Sequence, residues 1–172
     1  MENRKLELYE IAGYLPHGLK FKYFDDEWER NRICWIASMT YDENEEICFT
    51  DGEVEFYEKL YKLEPLLRPP SDLYKPIIHN GKEIVPIVEI GIMVDDIDAN
   101  LWKLGEYAGK PCAKKRTSFL IFDKLGRFQY SGYNVNSIKL FDYLHELKID
   151  YRGLIDAGLA IDCYALEFNP YK

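Results

Sequence analysis

Leu19-Lys20-Phe21-Lys22-Tyr23-Phe24 alternates apolar and basic residues for most of its length. Ile33-Cys34-Trp35-Ile36-Ala37-Ser38-Met39-Thr40-Tyr41 follows, and then Ile47-Cys48-Phe49-Thr50. A period of two places alternate side chains on opposite faces, which is the pattern of a strand with one wet face. Aromatic and β-branched residues suit such a surface. The segments between the three runs, 25–32 and Asp42-Glu43-Asn44-Glu45-Glu46, are polar. The spacing predicts an antiparallel meander.

Reading outward, residues 5–12 (KLELYEIA) predict a short helix stopped by Gly13 and Pro16. Val54, Tyr57 and Leu60 favour a helix over residues 53–63, although Val54 and Phe56 also fit a strand. Pro65, Pro69 and Pro70 interrupt any regular element through residues 64–70, and Ser71-Asp72 can cap one helical turn. Ile77-Ile78-His79-Asn80-Gly81-Lys82-Glu83-Ile84-Val85 places Asn-Gly between two apolar runs. That dipeptide signals a hairpin with a type I′ turn, which needs positive φ at both central residues. Ile87 to Met93 reads as another strand, and Asp95 to Tyr107 as a helix with acids in its first turn.

Residues 109–116 read as a basic loop, and 118–122 with 127–133 as a strand pair. Asn136 is placed to cap a helix reaching Leu147, with Leu140, Phe141, Leu144 and Leu147 on one face. Asp150 would cap a shorter helix ending at Gly158. The expected fold is a single α+β domain over residues 1–172, with antiparallel strands and hairpins and a C-terminal helical pair packed on the sheet.

Composition narrows the function. The chain has 172 residues, with 22 Lys+Arg against 30 Asp+Glu and a net charge of -8. Such a balance argues against a protein that mainly coats nucleic acid or an anionic membrane. Fourteen Tyr, nine Phe and three Trp are an excess that has two readings. One is strands with tyrosine at the core margin, and the other is a sticky surface for a partner. Cys34, Cys48, Cys112 and Cys163 show no close pair, so they do not look like a zinc site. The start MENRKLELYE has no apolar h-region, and no stretch reaches the ~18 apolar residues of a membrane span. The expectation is a reducing cytoplasm with four free, buried thiols.

Catalytic signatures are missing: no Gly-x-Ser-x-Gly, His-Glu-x-x-His, Walker-type loop or Gly-x-Gly-x-x-Gly occurs. His17, His79 and His145 stand apart from acidic or thiol partners in any such motif, and His79 is expected to face solvent. Asp42 to Glu53 has acids at some positions of a calcium loop but Ile47 where that loop needs Gly. Asp95, Asp96 and Asp98 fit helix capping better than a cation site. No metal, cofactor or catalytic residue is expected. Lys110, Lys114, Lys115 and Arg116 form the one basic patch, beside strands carrying Phe119, Phe122, Phe128, Tyr130 and Tyr133. Cations beside exposed rings can hold single-stranded nucleic acid by charge and stacking. Residues 136–158 lack the side chains a DNA-reading helix pair would need.

Two stretches carry a resemblance. One runs Leu67-Arg68-Pro69-Pro70-Ser71-Asp72-Leu73, followed by His79-Asn80-Gly81-Lys82-Glu83-Ile84-Val85-Pro86. The other joins Leu140-Phe141-Asp142-Tyr143-Leu144 to Gly153-Leu154-Ile155-Asp156-Ala157-Gly158-Leu159-Ala160-Ile161-Asp162. Over roughly a quarter of its length the chain thus resembles small proteins encoded by phages and prophages of gut anaerobic bacteria. That group brings context and no assigned activity. The expected function is therefore a non-enzymatic accessory protein of a mobile element that binds a protein partner. The alternatives are a single-stranded nucleic-acid binder using the Lys110–Arg116 loop, and an enzyme with a dispersed site.

Overall fold

The alternation at residues 19–24 becomes a β-strand in the computed structural model of the chain, which describes residues 4–26, 30–38, 46–95, 99–123, 126–131, 133–135 and 138–171. The architecture is mixed α and β, with several antiparallel sheets. The chain divides into two compact units. Unit 1 is Met1–Arg68 with Arg152–Tyr171, and unit 2 is Pro69–Tyr151.

Unit 1 opens with helix α1 (Leu8–Ile11), where Glu7 and Glu10 form a reciprocal capping box. The chain tightens into a 3-10 helix over Ala12–His17, with Pro16 inside it. The meander follows as β1 (Lys20–Asp25), β2 (Arg30–Ser38), β3 (Glu46–Thr50) and β4 (Glu55–Lys59). β4 replaces the helix expected over 53–63. Asp51 Oδ1 accepts the backbone N–H groups of Glu53 and Val54 and so reverses the chain. The returning segment then pairs with β3 residue for residue, Phe49 opposite Phe56 and Cys48 opposite Tyr57. Those ladder bonds outweigh a weak helical spacing. A 3-10 turn at Leu60–Lys62 leads to β5 (Glu64–Leu67), which pairs with β1 on its other side.

Unit 2 begins with a 3-10 helix at Pro70–Tyr74. β6 (Ile77–His79) and β7 (Lys82–Ile84) form the predicted hairpin, with Asn80 at φ 49° and Gly81 at φ 74°. The run after it is not a strand. It is helix α2 (Pro86–Val94), started by Pro86 in its first turn, where the acidic Glu89 also lies near the positive end of the dipole. Its apolar residues Ile87, Ile90 and Gly91 share one buried face, at spacings of three and four.

The helix expected over 95–107 is also absent. The described part holds a 3-10 turn at Ala99–Leu101 and then β8 (Lys103–Tyr107); Asp96 and Asp98 lie outside the described residues. The basic loop becomes a strand as well, β9 (Lys110–Lys115), returning from β8 through Ala108 at φ 51° and Gly109 at φ 74°. β10 (Ser118–Phe122), β11 (Phe128–Tyr130) and β12 (Tyr133–Val135) complete a five-stranded sheet in the order β12-β11-β10-β9-β8. Helix α3 (Ile138–Leu147) closes the unit; the cap expected at Asn136 lies outside the described residues. Leu140, Leu144 and Leu147 are buried in one cluster with Ile87, Ile90 and Leu120.

The second member of the helical pair does not form. Residues 153–160 make turns, with Gly153 and Gly158 at positive φ, so one helical turn opens and ends at once. This segment belongs to unit 1, where β13 (Ile161–Asp162) pairs in parallel with β5. The sheet of unit 1 therefore has the order β13-β5-β1-β2-β3-β4. Its core face carries Phe21 and Phe49, edge to face at 5.6 Å, beside Tyr23 and Phe56 stacked at 4.8 Å. All four cysteines are free and buried, as the sequence predicts.

Candidate functional site

Register assigns each strand residue of unit 2 to a face. Lys103 lies opposite Lys114, which lies opposite Phe119; Tyr107 lies opposite Lys110, and Gly105 opposite Cys112. Direct partners share a face, so all of these look the same way. The opposite face carries Ala113, Leu120 and Phe128, which are fully buried in the core. The outward face holds Lys103, Lys110 and Lys114, all exposed, and none of the three makes an ion pair with a described residue. Tyr107 and Phe119 stack at 3.7 Å with their planes 13° apart. They rise from β8 and β10, so the pair bridges the intervening β9 at the level of Cys112. Gly105 supplies no side chain to obstruct it. Cys112 is 0% exposed, and burial pushes its thiol up. Tyr107 itself remains 48% exposed.

The four cations named from the sequence do not stay together. Lys110 and Lys114 are on the outward face, and Arg116 is exposed in the turn after β9. Lys115 points the other way. It is 7% exposed, its Nζ is 2.7 Å from Asp95 Oδ2, and it lies over the Trp102 ring at 5.5 Å. Tyr130 donates its hydroxyl to the same Asp95 oxygen at 2.9 Å, and Trp102 Nε1 donates to the Asp95 carbonyl. This cluster ties the end of α2 to the sheet. Lys103 and Tyr107 escaped sequence reasoning because they sat in an expected helix. Alternation in Lys103, Gly105 and Tyr107 was the signal available. On this face the strand residues of β8, β9 and β10 include no carboxylate. Asp123, just beyond β10, is engaged by Arg127 at 2.8 Å and Gln129 at 3.2 Å.

The net charge is unevenly shared. Unit 1 holds 19 Asp+Glu against 10 Lys+Arg, whereas residues 69–151 hold 11 of each. The acidic composition is thus a property of unit 1, and the residues of unit 2 add no net negative charge to it.

The sheet of unit 1 has an outward face of different character. Lys20 and Thr50 flank Trp35 in register, Lys22 lies opposite Ile33, and Phe24 opposite Asn31. Tyr57 follows on β4 opposite Cys48. Phe24, Ile33, Trp35 and Tyr57 therefore step diagonally across the face. Phe24 is 51% exposed, Trp35 38% and Tyr57 61%. Toward β5 the same face is covered. Tyr171 donates its hydroxyl to the Leu66 carbonyl at 2.7 Å and accepts the Lys20 N–H at 3.1 Å, while Lys20 Nζ reaches the Pro170 carbonyl. On the inner face Arg32 is held between Asp25 and Asp51. Backbone N–H groups of Val54 and Glu53, with Arg32, hold the Asp51 carboxyl down at about 2. Burial pushes the Cys34 thiol up to about 12.

The histidines of unit 2 have separate partners. His79 Nε2 is 2.8 Å from Glu146, in place of the expected solvent, and His145 Nε2 is 2.8 Å from the Tyr151 hydroxyl. Among the described residues no three His, Cys, Asp or Glu side chains gather as metal ligands; Asp42 to Glu45 lie outside them. Nor is any described helix long and apolar enough to cross a membrane. No protein-family model, no curated protein and no solved structure matches this chain.

Proposed function

We propose that this chain is a non-enzymatic accessory protein of a phage or prophage that works by binding a protein partner through unit 1. The observation that supports the reading is the diagonal of Phe24, Ile33, Trp35 and Tyr57 on the open sheet face of a strongly acidic unit. Aromatic side chains supply large contact area at low entropy cost and dominate interface hot spots. The surplus of carboxylates steers encounter toward a partner with a basic face. The sequence resemblance described above supplies the mobile-element context.

The experiment is affinity capture with the wild-type chain and with a Phe24→Ser, Tyr57→Ser double variant, followed by binding of the purified partner at two salt concentrations. Trp35 is left in place because its ring rests beside Gly52. The expected result is a Lys/Arg-rich partner whose association slows as salt rises and which the variant binds at least ~30-fold more weakly, the scale of one lost hot spot. Unchanged thermal unfolding of the variant would locate the loss in the interface. Equal capture by both chains would refute the reading.

A further inference from the structure

We infer that the open sheet face of unit 2 binds single-stranded polynucleotide, with phosphates on Lys103, Lys110 and Lys114 and a base stacked on Tyr107. The inference stands apart from the protein-binding reading, since it uses other residues in the other unit. Three observations carry it. First, the three ammonium groups leave one face of one sheet, and the residues of β8, β9 and β10 that share that face carry no acid, Glu106 of β8 lying in register on the other face. Lys103 and Lys114 are cross-strand neighbours, ~5 Å apart at Cβ. Lys110 is four residues along β9, which places it ~13 Å away. The cations thus form a track rather than a point, which suits a chain of phosphates better than a single anion.

Second, the track borders a ring already held flat. Phe119 stacks against one side of Tyr107, fixing its plane, and Tyr107 keeps about half of its surface open. A base meeting that ring pays little ordering entropy on the protein side. Base–aromatic stacking is available only to unpaired bases, because a duplex hides its base faces. Third, unit 2 carries no net negative charge. The argument from composition against nucleic acid therefore draws on the charge of unit 1, and the residues of unit 2 add nothing to it.

The test is fluorescence polarisation of the full chain with labelled oligo-dT and oligo-U of about 12 nucleotides, a length within the usual site range. A duplex of the same length serves as a third probe. Binding of either single strand is expected, and the pair of probes separates DNA from RNA as its source. Three phosphate contacts give a log–log salt slope of about -2, so affinity falls more than tenfold between about 50 and about 200 mM salt. Tyr107→Ala is expected to weaken binding about tenfold with the slope unchanged, and Tyr107→Phe to restore it. Lys114→Gln is expected to make the slope shallower by about 0.7. Lys82→Gln, on the β6–β7 hairpin, is expected to change neither. Absence of binding by both single strands at about 50 mM salt would overturn the inference. So would equal affinity for the duplex, or wild-type affinity in both Tyr107→Ala and a Lys103→Gln, Lys110→Gln chain.

Discussion

The sheets of the two units are built alike and finished differently. Each turns one face to a core and leaves the other open, and each is mostly an antiparallel meander with its strands in chain order. In unit 1 the open face carries Phe24, Trp35 and Tyr57 on a unit of acidic composition; in unit 2 it carries lysines beside one stacked ring pair. The same strand grammar therefore produces two surfaces suited to different chemistry. The difference lies in which residues fill the odd positions of β8 and β9, not in the backbone. A reader of composition alone averages the two and sees only a moderately acidic protein.

The comparison rests on each inner face being a true core, and that is where it is easiest to break. Phe49 is fully buried between Phe21 and Phe56. Phe49→Ala is expected to cost about 3–5 kcal/mol in urea unfolding, from lost transfer energy and a residual cavity. Leu144→Ala in α3 is expected to cost about 2–5 kcal/mol, because Leu144 is fully buried among Ile90, Leu120 and their neighbours. A loss under about 0.5 kcal/mol, the scale of surface changes, would show that α3 is a docking face and that unit 2 lacks the closed inner side assumed for it.

Smaller effects sharpen the contrast. A Cβ on Gly91 would sit 2.6 Å from the Trp102 ring, so Gly91→Ala forces α2 away from the ring that Lys115 also covers. The expected cost is about 1–3 kcal/mol, the range for overpacking, measured as a lower thermal midpoint. In unit 1, Asp51 gives an acid signature. Its folded value is lowered from 3.8 to about 2, so the stability it contributes is present above pH ~4 and lost as pH falls toward ~2. Solvent reaches this carboxylate, so the loss is expected to be only about 1 kcal/mol. Denaturant midpoints at several acidic pH values should show it in the wild type and not in Asp51→Asn. Last, Gly81 at φ 74° occupies a position that disfavours a Cβ, and Gly81→Ala is expected to cost about 1 kcal/mol. An unchanged midpoint would count against the type I′ turn.

Much of this was legible where local signals agreed. The strands at β1 to β3, the Asn-Gly hairpin, the leucine face of α3 and the buried thiols all follow from period, turn chemistry and neighbours. The errors share one cause. Residues 53–63, 87–93 and 95–107 carry local patterns too short to fix their state, which is decided by what they pair with. β4 is a strand because β3 offers it a ladder; α2 is a helix because Pro86 starts it and Ile87, Ile90 and Gly91 find a core. Reading 95–107 as a helix then hid Lys103 and Tyr107. Without β8, the basic patch became a loop, and Lys115 was counted with it although alternation sends that side chain inward to Asp95.

The stacked pair across β9 also makes a clock. Cys112 lies between Tyr107 and Phe119 in register with no accessible surface, and its sulfur reacts with an alkylating reagent only as the thiolate, formed once opening of the rings lets water in. With reclosing faster than alkylation, the labelling rate of that sulfur therefore reads the fraction of time for which the aromatic pair is open. A ligand seated on Tyr107 would slow it.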